Sequence, residues 1–216
     1  MRSLPLGPAL VAEAIGTFAL VFVGCGAIAV GTLGPAGVAV SFGLAIMTMI
    51  YALGHVSGAH FNPAVTAAFA VGRHFPIVRV LPYWLAQAIG AIAAAALVRA
   101  TLGDVSLGVT HPTGGDAQAL VWEAVLTFFL MLVIVAVATD TRAVGHGAAI
   151  AIGGTVTLGA LVGGPISGAS LNPARSMGPA IVSGDLSDLW LYLLAPPAGA
   201  IAAALVYRYL RPTIAA

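Results

Sequence analysis

Apolar residues run through this chain in six long blocks, at about 8–30, 36–54, 81–101, 119–139, 147–163 and 188–210, with polar residues gathered in the gaps between them. A helix crossing a bilayer needs about 20 such residues, so each block predicts one span. Two further apolar stretches, about 62–72 and 172–183, are too short to cross. Both begin at Asn-Pro. Asparagine favours the N-cap and proline the first helical position, so each predicts a half-helix starting at Asn62 or Asn172. The segments before them, Gly54 to Phe61 and Gly163 to Leu171, are expected to be non-helical, which is tolerated at membrane depth only where backbone lines a cavity or is covered by protein.

The pattern repeats. Ser57-Gly58-Ala59-His60-Phe61-Asn62-Pro63-Ala64 returns 110 positions later as Ser167-Gly168-Ala169-Ser170-Leu171-Asn172-Pro173-Ala174, with six of eight residues identical. The same displacement carries Glu13 and Thr17 onto Glu123 and Thr127. One domain over 1–216, built from repeats of approximately 1–105 and 115–216, is the expected organisation. Arginine placement gives its orientation, because the chain has no lysine. Arg2, Arg73, Arg79, Arg142, Arg208 and Arg211 fall at the amino terminus and after spans two, four and six, all on one side, which the positive-inside rule makes cytoplasmic. Asp104, Asp116, Asp185 and Asp188 fall opposite, with Arg99 at a helix end from which it can snorkel. Three spans per half force the second half to insert upside down, so the repeats are inverted and the two asparagines can meet near the midplane.

Composition agrees with a lipid solvent: 60% of residues are hydrophobic, 7% are charged, and the mean hydropathy is +1.06. A net charge of +1 speaks against nucleic acid as a partner. Arg2 followed by an apolar run imitates a signal peptide, but Glu13 within the run favours a retained first span. The single cysteine, Cys25, permits no intrachain disulfide and reads as packing. His55 and His60 have no companions at ligand spacing, so neither metal nor cofactor is expected. His74, His111 and His146 fall in expected loops.

An asparagine at an N-cap uses its side-chain oxygen on its own helix and keeps an NH2 donor for a cavity. Two such amides donating to one water would turn its hydrogens outward in both directions and break a proton wire, while the positive ends of both half-helices oppose cations. Glu13 and Glu123 are intramembrane carboxylates, read as braces that accept hydrogen bonds from the irregular backbone and from His60 or Ser170, in preference to a proton relay. A coupled transporter would need an ion-binding carboxylate in its path. A serine hydrolase built on Ser57, Ser167 or Ser170 would need one nucleophile with one base, and duplication argues against it.

Paired Asn-Pro-Ala boxes (Asn62, Pro63, Ala64 and Asn172, Pro173, Ala174), the second extended by Arg175 and Ser176, with a glutamate in the first span of each half, resemble the aquaporin or major intrinsic protein family over essentially the whole chain. The resemblance implies an all-α membrane protein of six transmembrane helices plus two half-helices, a homotetramer, and a passive channel for water and small uncharged solutes. It also implies that carbonyls of Gly58, Ala59 and His60 and of Gly168, Ala169 and Ser170 form an acceptor ladder. An outer constriction is implied at Phe42, Ala160, Ala169 and Arg175. Strict water channels typically have histidine at the position of Ala160. Glycerol facilitators typically follow the arginine with aspartate, where this chain has Ser176, and have an aromatic at the position of Ala169. The run Gly164 to Ala180, with Tyr192 followed by Leu193, is similar to the nodulin-like intrinsic proteins and related bacterial channels, although many of that branch lack phenylalanine at Phe42. That branch passes glycerol and undissociated acids of boron, silicon and arsenic; a strict water channel is the alternative. The expected location is a bacterial inner membrane, with both termini cytoplasmic.

Overall fold

The structure is a computed structural model that describes residues 5–140 and 147–211; Arg2, Arg142 and His146 lie outside the described residues. The described chain forms α1 (Leu6–Val30), α2 (Gly34–Ser57), α3 (Pro63–Val71), α4 (Val80–Leu102), α5 (Asp116–Thr139), α6 (Ala148–Ser167), α7 (Pro173–Ser183) and α8 (Leu189–Leu210), with a 3-10 turn at Ile77–Arg79. Six of these, α1, α2, α4, α5, α6 and α8, are long and apolar enough to span a membrane, the turn extending the third of them back to Ile77. Helices α3 and α7 are the two short ones, and each opens with proline directly after an asparagine cap.

Packing repeats with the sequence. Helix α1 packs on α2 and α4, and α5 packs on α6 and α8 in the same relation. The halves join where α2 meets α6, where α3 lies on α8 and where α7 lies on α4, so each short helix is seated against the last span of the other half. Close approach is made by small residues: a Cβ on Gly90 would run into the carbonyl of Ala14, and one on Gly199 into the carbonyl of Ala124. Without water to drive apolar burial, such backbone proximity is how helices gain van der Waals contact in lipid. Leucine, isoleucine and valine side chains such as Val11, Ile89, Val121, Ile150 and Leu194 are left outward, where acyl chains solvate them.

Helices α2 and α6 outrun the expectation. Each continues through the glycines at which it was expected to stop, to Ser57 and Ser167, and ends at a left-handed glycine, Gly58 or Gly168, whose N–H donates to the carbonyl of Gly54 or Gly164. The irregular segments therefore shrink to about five residues before each short helix. Pro165 sits inside α6, close enough to its end that little of the helix follows it.

Candidate pore

Asn62 and Asn172 both have extended backbone and cap the short helices through their side-chain oxygens, Asn62 from the N–H of Ala64 at 2.9 Å and Asn172 from those of Ala174 and Arg175 at 3.0 and 3.3 Å. Their NH2 groups cross to the other half. Asn62 Nδ2 donates to the carbonyl of Leu171 at 2.7 Å, and Asn172 Nδ2 donates to the carbonyl of Phe61 at 2.8 Å. The two short helices thus meet N-terminus to N-terminus. Each amide has two hydrogens, so the cross-bond occupies one and leaves the other for the cavity that both asparagines line.

The irregular segments before the asparagines hold strained backbone. Ala59 and Phe61 have φ of 51° and 48°, and Ala169 and Leu171 have 44° and 54°, conformations that cost a non-glycine residue about 1 kcal/mol each. The N–H groups of Ala59 and Ala169 donate to the hydroxyls of Ser57 and Ser167, and those of the two residues after each end on buried carboxylates. Glu13 Oε1 accepts from Ser57 Oγ at 2.7 Å and His60 N at 2.9 Å, while Oε2 accepts from Phe61 N at 2.6 Å and Gln87 Nε2 at 2.8 Å. Glu123 repeats this with Ser167 Oγ at 2.7 Å and the N–H groups of Ser170 and Leu171, each at 2.8 Å. With N–H groups directed to carboxylates, these strained segments are held by bonds worth about 1.5–3 kcal/mol each.

The side chains of His60 and Ser170 are not what the glutamates hold. The His60 ring shares a 3.0 Å bond with Thr66 Oγ1 and sits among Phe69, Phe75 and Tyr83, with centroids 4.8, 4.7 and 5.2 Å away. Ser170 Oγ donates to the carbonyl of Asn172 and accepts from Ser176 Oγ. Thr66 and the aromatic set hold the imidazole, and it is the backbone N–H of residue 60 that reaches the carboxylate. Tyr83 and Tyr192 complete the frame by donating to the carbonyls of Ser57 and Ser167 at 2.8 and 2.6 Å.

A cavity of about 110 Å3 runs beside both asparagines. Gly58, Ala59, His60, Ala169, Ser170 and Arg175 line it, as do Phe42 and Ala160; most of the remaining wall is aliphatic. Gly168 is not in the lining and lies against Thr110 instead. Phe42, Ala160, Ala169 and Arg175 are therefore brought to one cavity from four parts of the chain. Arg175 is 3% exposed, its Cζ stands 4.9 Å from the centre of the Phe42 ring, and its Nη1 donates to the carbonyl of Gly108 at 2.6 Å. Its Nε is buried without a protein partner.

Arg99, expected to snorkel, pairs with Asp104 at 3.0 Å. Cys25 is buried. The sequence pattern gives no role to Gly108, Gln87 or Tyr83, marks Tyr192 only through its neighbour Leu193, and offers Ser57 and Ser167 only as possible nucleophiles within the repeated box. The constant spacing of 44 residues from Glu13 to Ser57 and from Glu123 to Ser167 was the available signal.

Comparison with known proteins follows the same lines. The family model described as Major intrinsic protein matches residues 1–207. Aquaporin NIP1-1 of Oryza sativa subsp. japonica is 48% identical over 98% of this chain and 77% of its own length. Nodulin-26 of Glycine max is 48% identical over 98% of this chain and 80% of its own length. The X-ray structure of the aquaglyceroporin from Plasmodium falciparum superposes with a TM-score of 0.81 at 25% identity, covering 94% of this chain and 96% of that one. These curated relatives are plant proteins, so the expectation of a bacterial inner membrane finds no support in them. Multi-pass membrane placement does, and on agreement that spans nearly every residue the chain belongs to the major intrinsic protein family, as a passive channel for water and small solutes and not an enzyme.

Proposed function

We propose that the cavity is a pore for water and for small uncharged solutes of the glycerol, boric acid and arsenous acid type, and that it refuses protons and ions. The observation that carries this reading is the pairing, around one cavity, of Phe42 and the small Ala160 and Ala169 with the buried Arg175. Two alanines leave width for more than a single water, Phe42 supplies an apolar wall, and the guanidinium of Arg175 beside it supplies donors. Polyols and neutral hydroxy acids present matching surfaces. The likeness to an aquaglyceroporin supports the same reading.

Ions meet the opposite conditions. Among the described residues no carboxylate lines the cavity to replace a cation's hydration shell, and Glu13 and Glu123 are occupied by backbone donors. Two helix N-termini, each equivalent to about half a positive charge, converge at the asparagines, and Arg175 adds a full one. The free hydrogens of Asn62 and Asn172 orient a water between them and interrupt proton transfer. Glu13 and Glu123 act as braces in this reading.

Both termini lie in the cytoplasm, the box with Arg175 enters from the outer face, and four copies assemble with one pore each. Permeability of the purified protein in liposomes, compared for water, glycerol and arsenous acid, tests the solute range. Flux of either solute well above that of empty vesicles is expected; rapid water flux with no solute flux returns the chain to the strict water channels.

A further inference from the structure

The connection between α4 and α5 crosses the Arg175 end of the cavity as a strap, and residues 108–113 of it are tied at four places. Gly108 accepts from Arg175 through its carbonyl, Thr110 Oγ1 and Ser176 Oγ share a hydrogen at 2.7 Å, and Thr113 donates its N–H to the carbonyl of Ile166 at 3.0 Å and its hydroxyl to that of Pro165 at 2.9 Å. The fourth tie is His111, which joins the strap to the linker between α7 and α8. Its Nδ1 is 2.7 Å from Asp188 Oδ2 and its Nε2 is 3.4 Å from Asp185 Oδ2. Among these ties it is the one whose donor count changes with protonation.

A neutral imidazole has one donor and one acceptor, so it satisfies one of these carboxylates and turns a lone pair on the other. An imidazolium donates to both. The other charged groups at this end are the Arg99–Asp104 pair at the start of the strap, Asp116 at the start of α5, and Arg175 itself. His111 is half-exposed, so protons reach it from the surrounding water. Gly108, three residues back, has φ of +72° and is pressed on α1, where a Cβ would meet Ile28 and Cys25. Its carbonyl fixes the guanidinium against the cavity wall.

We propose that His111 is a positioning residue for permeation: by clamping the strap to the α7–α8 linker it keeps the Gly108 carbonyl where it retains Arg175 at the wall, so the free width beside Arg175 depends on His111. The inference rests on the reading of Arg175 as part of the constriction. With the second clamp bond made, the guanidinium stays back and the opening is wide. With it lost, the strap loosens and Arg175 swings towards Ala160 and narrows the passage. A solute wider than water feels this more than water does.

The test is light-scattering permeability of the full-length protein in liposomes, for water and glycerol, at about pH 5.5 and about pH 8 on both sides. Wild-type glycerol permeability is expected to rise at least about twofold from the higher to the lower pH, with a smaller change for water. His111→Gln should give a flat profile, and Asp188→Asn, which keeps the imidazole and removes its nearer carboxylate, should lose most of the response. A flat wild-type profile overturns the proposal, and so does a wild-type response that both variants retain. If the wild type passes no glycerol at either pH, the solute range proposed above is wrong, and the clamp is then judged by the same comparison on water alone. Should His111→Gln fail to insert, Asp188→Asn decides.

Discussion

Gln87 donates to Glu13 at 2.8 Å, and among the described residues nothing in the second half answers it. The tyrosine that precedes it by four residues, Tyr83, matches Tyr192, which puts Pro196 where the counterpart of Gln87 would be. Glu13 therefore accepts four hydrogen bonds and Glu123 three. Gln87 also donates to Thr66 at 3.0 Å, tying α4 to the first short helix as well as to α1.

Glutamine in place of either glutamate puts an NH2 donor where a backbone N–H or a hydroxyl now donates, at a cost of about 1–3 kcal/mol for each group left unpaired. Glu13→Gln and Glu123→Gln should both lower expression and the midpoint of thermal unfolding in detergent. Because Gln87 would also lose its acceptor, the Glu13 variant should suffer more. Normal yield of either variant with conduction alone abolished would favour a proton relay over a brace.

Asn172→Asp keeps the cap, since a carboxylate still accepts from Ala174 and Arg175, but it sets a negative oxygen against the carbonyl of Phe61. Loss of one buried bond and creation of one repulsion should lower thermal stability by about 2–4 kcal/mol. In vesicles that do form, cation leak should rise, because a carboxylate offsets the positive ends of α3 and α7. Ion flux measured with a potential-sensitive dye, beside unchanged water flux, is the expected pattern.

Ala160 lines the same cavity as Arg175, and Ala160→His takes up part of its width. Glycerol permeability should fall at least about tenfold, as expected when a close-fitting solute loses its space, while water permeability changes about twofold or less. Equal losses for both permeants would mean that this position is not where size is sorted.

His74 lies in the turn after α3, outside the spans, with its ring 6.3 Å from that of Phe69 at a near-perpendicular angle. Burial, and then the Arg211 guanidinium, hold it below the ordinary imidazole value. The unfolded chain therefore binds its proton at a higher pH than the folded one. Stability from this group is complete above the ordinary imidazole value and is lost as pH falls through the lowered folded value. Thermal unfolding midpoints should decline over that acidic window in the wild type, and His74→Gln should flatten part of the decline.

Much of this arrangement can be read without coordinates, because lipid removes alternatives. Blocks of some 20 apolar residues have few uses besides spanning, and Asn-Pro twice in such a chain dictates two capped short helices. Helix ends are less legible. Gly54, Gly163, Gly164 and Pro165 read as breakers, yet in lipid the free carbonyls of an early end would have no water to meet, so α2 and α6 carry on to Gly58 and Gly168. The partners of Glu13 were half legible: the backbone of residues 60 and 61 follows from the repeat, whereas Gln87 stands 74 positions away and has no repeated copy. Gly108, Thr110 and His111 were illegible, since their roles arise from where a polar connection settles across elements distant in sequence.

The crossing of the two amides is reciprocal: Asn62 serves the residue before Asn172, and Asn172 serves the residue before Asn62. Contacts of that form are isologous, the kind made by a two-fold axis between identical subunits. A half of this chain taken alone would keep its glutamate brace intact, yet would present one amide and one carbonyl with nothing to meet. Two identical halves in one membrane, inserted in opposite senses, would complete each other at that point with no change of chemistry. The bond pattern at the centre is thus already that of a dimer, and joining the halves in one chain leaves each lining free to diverge, as His60 and Ser170 have, while the axis itself is held to asparagine on both sides.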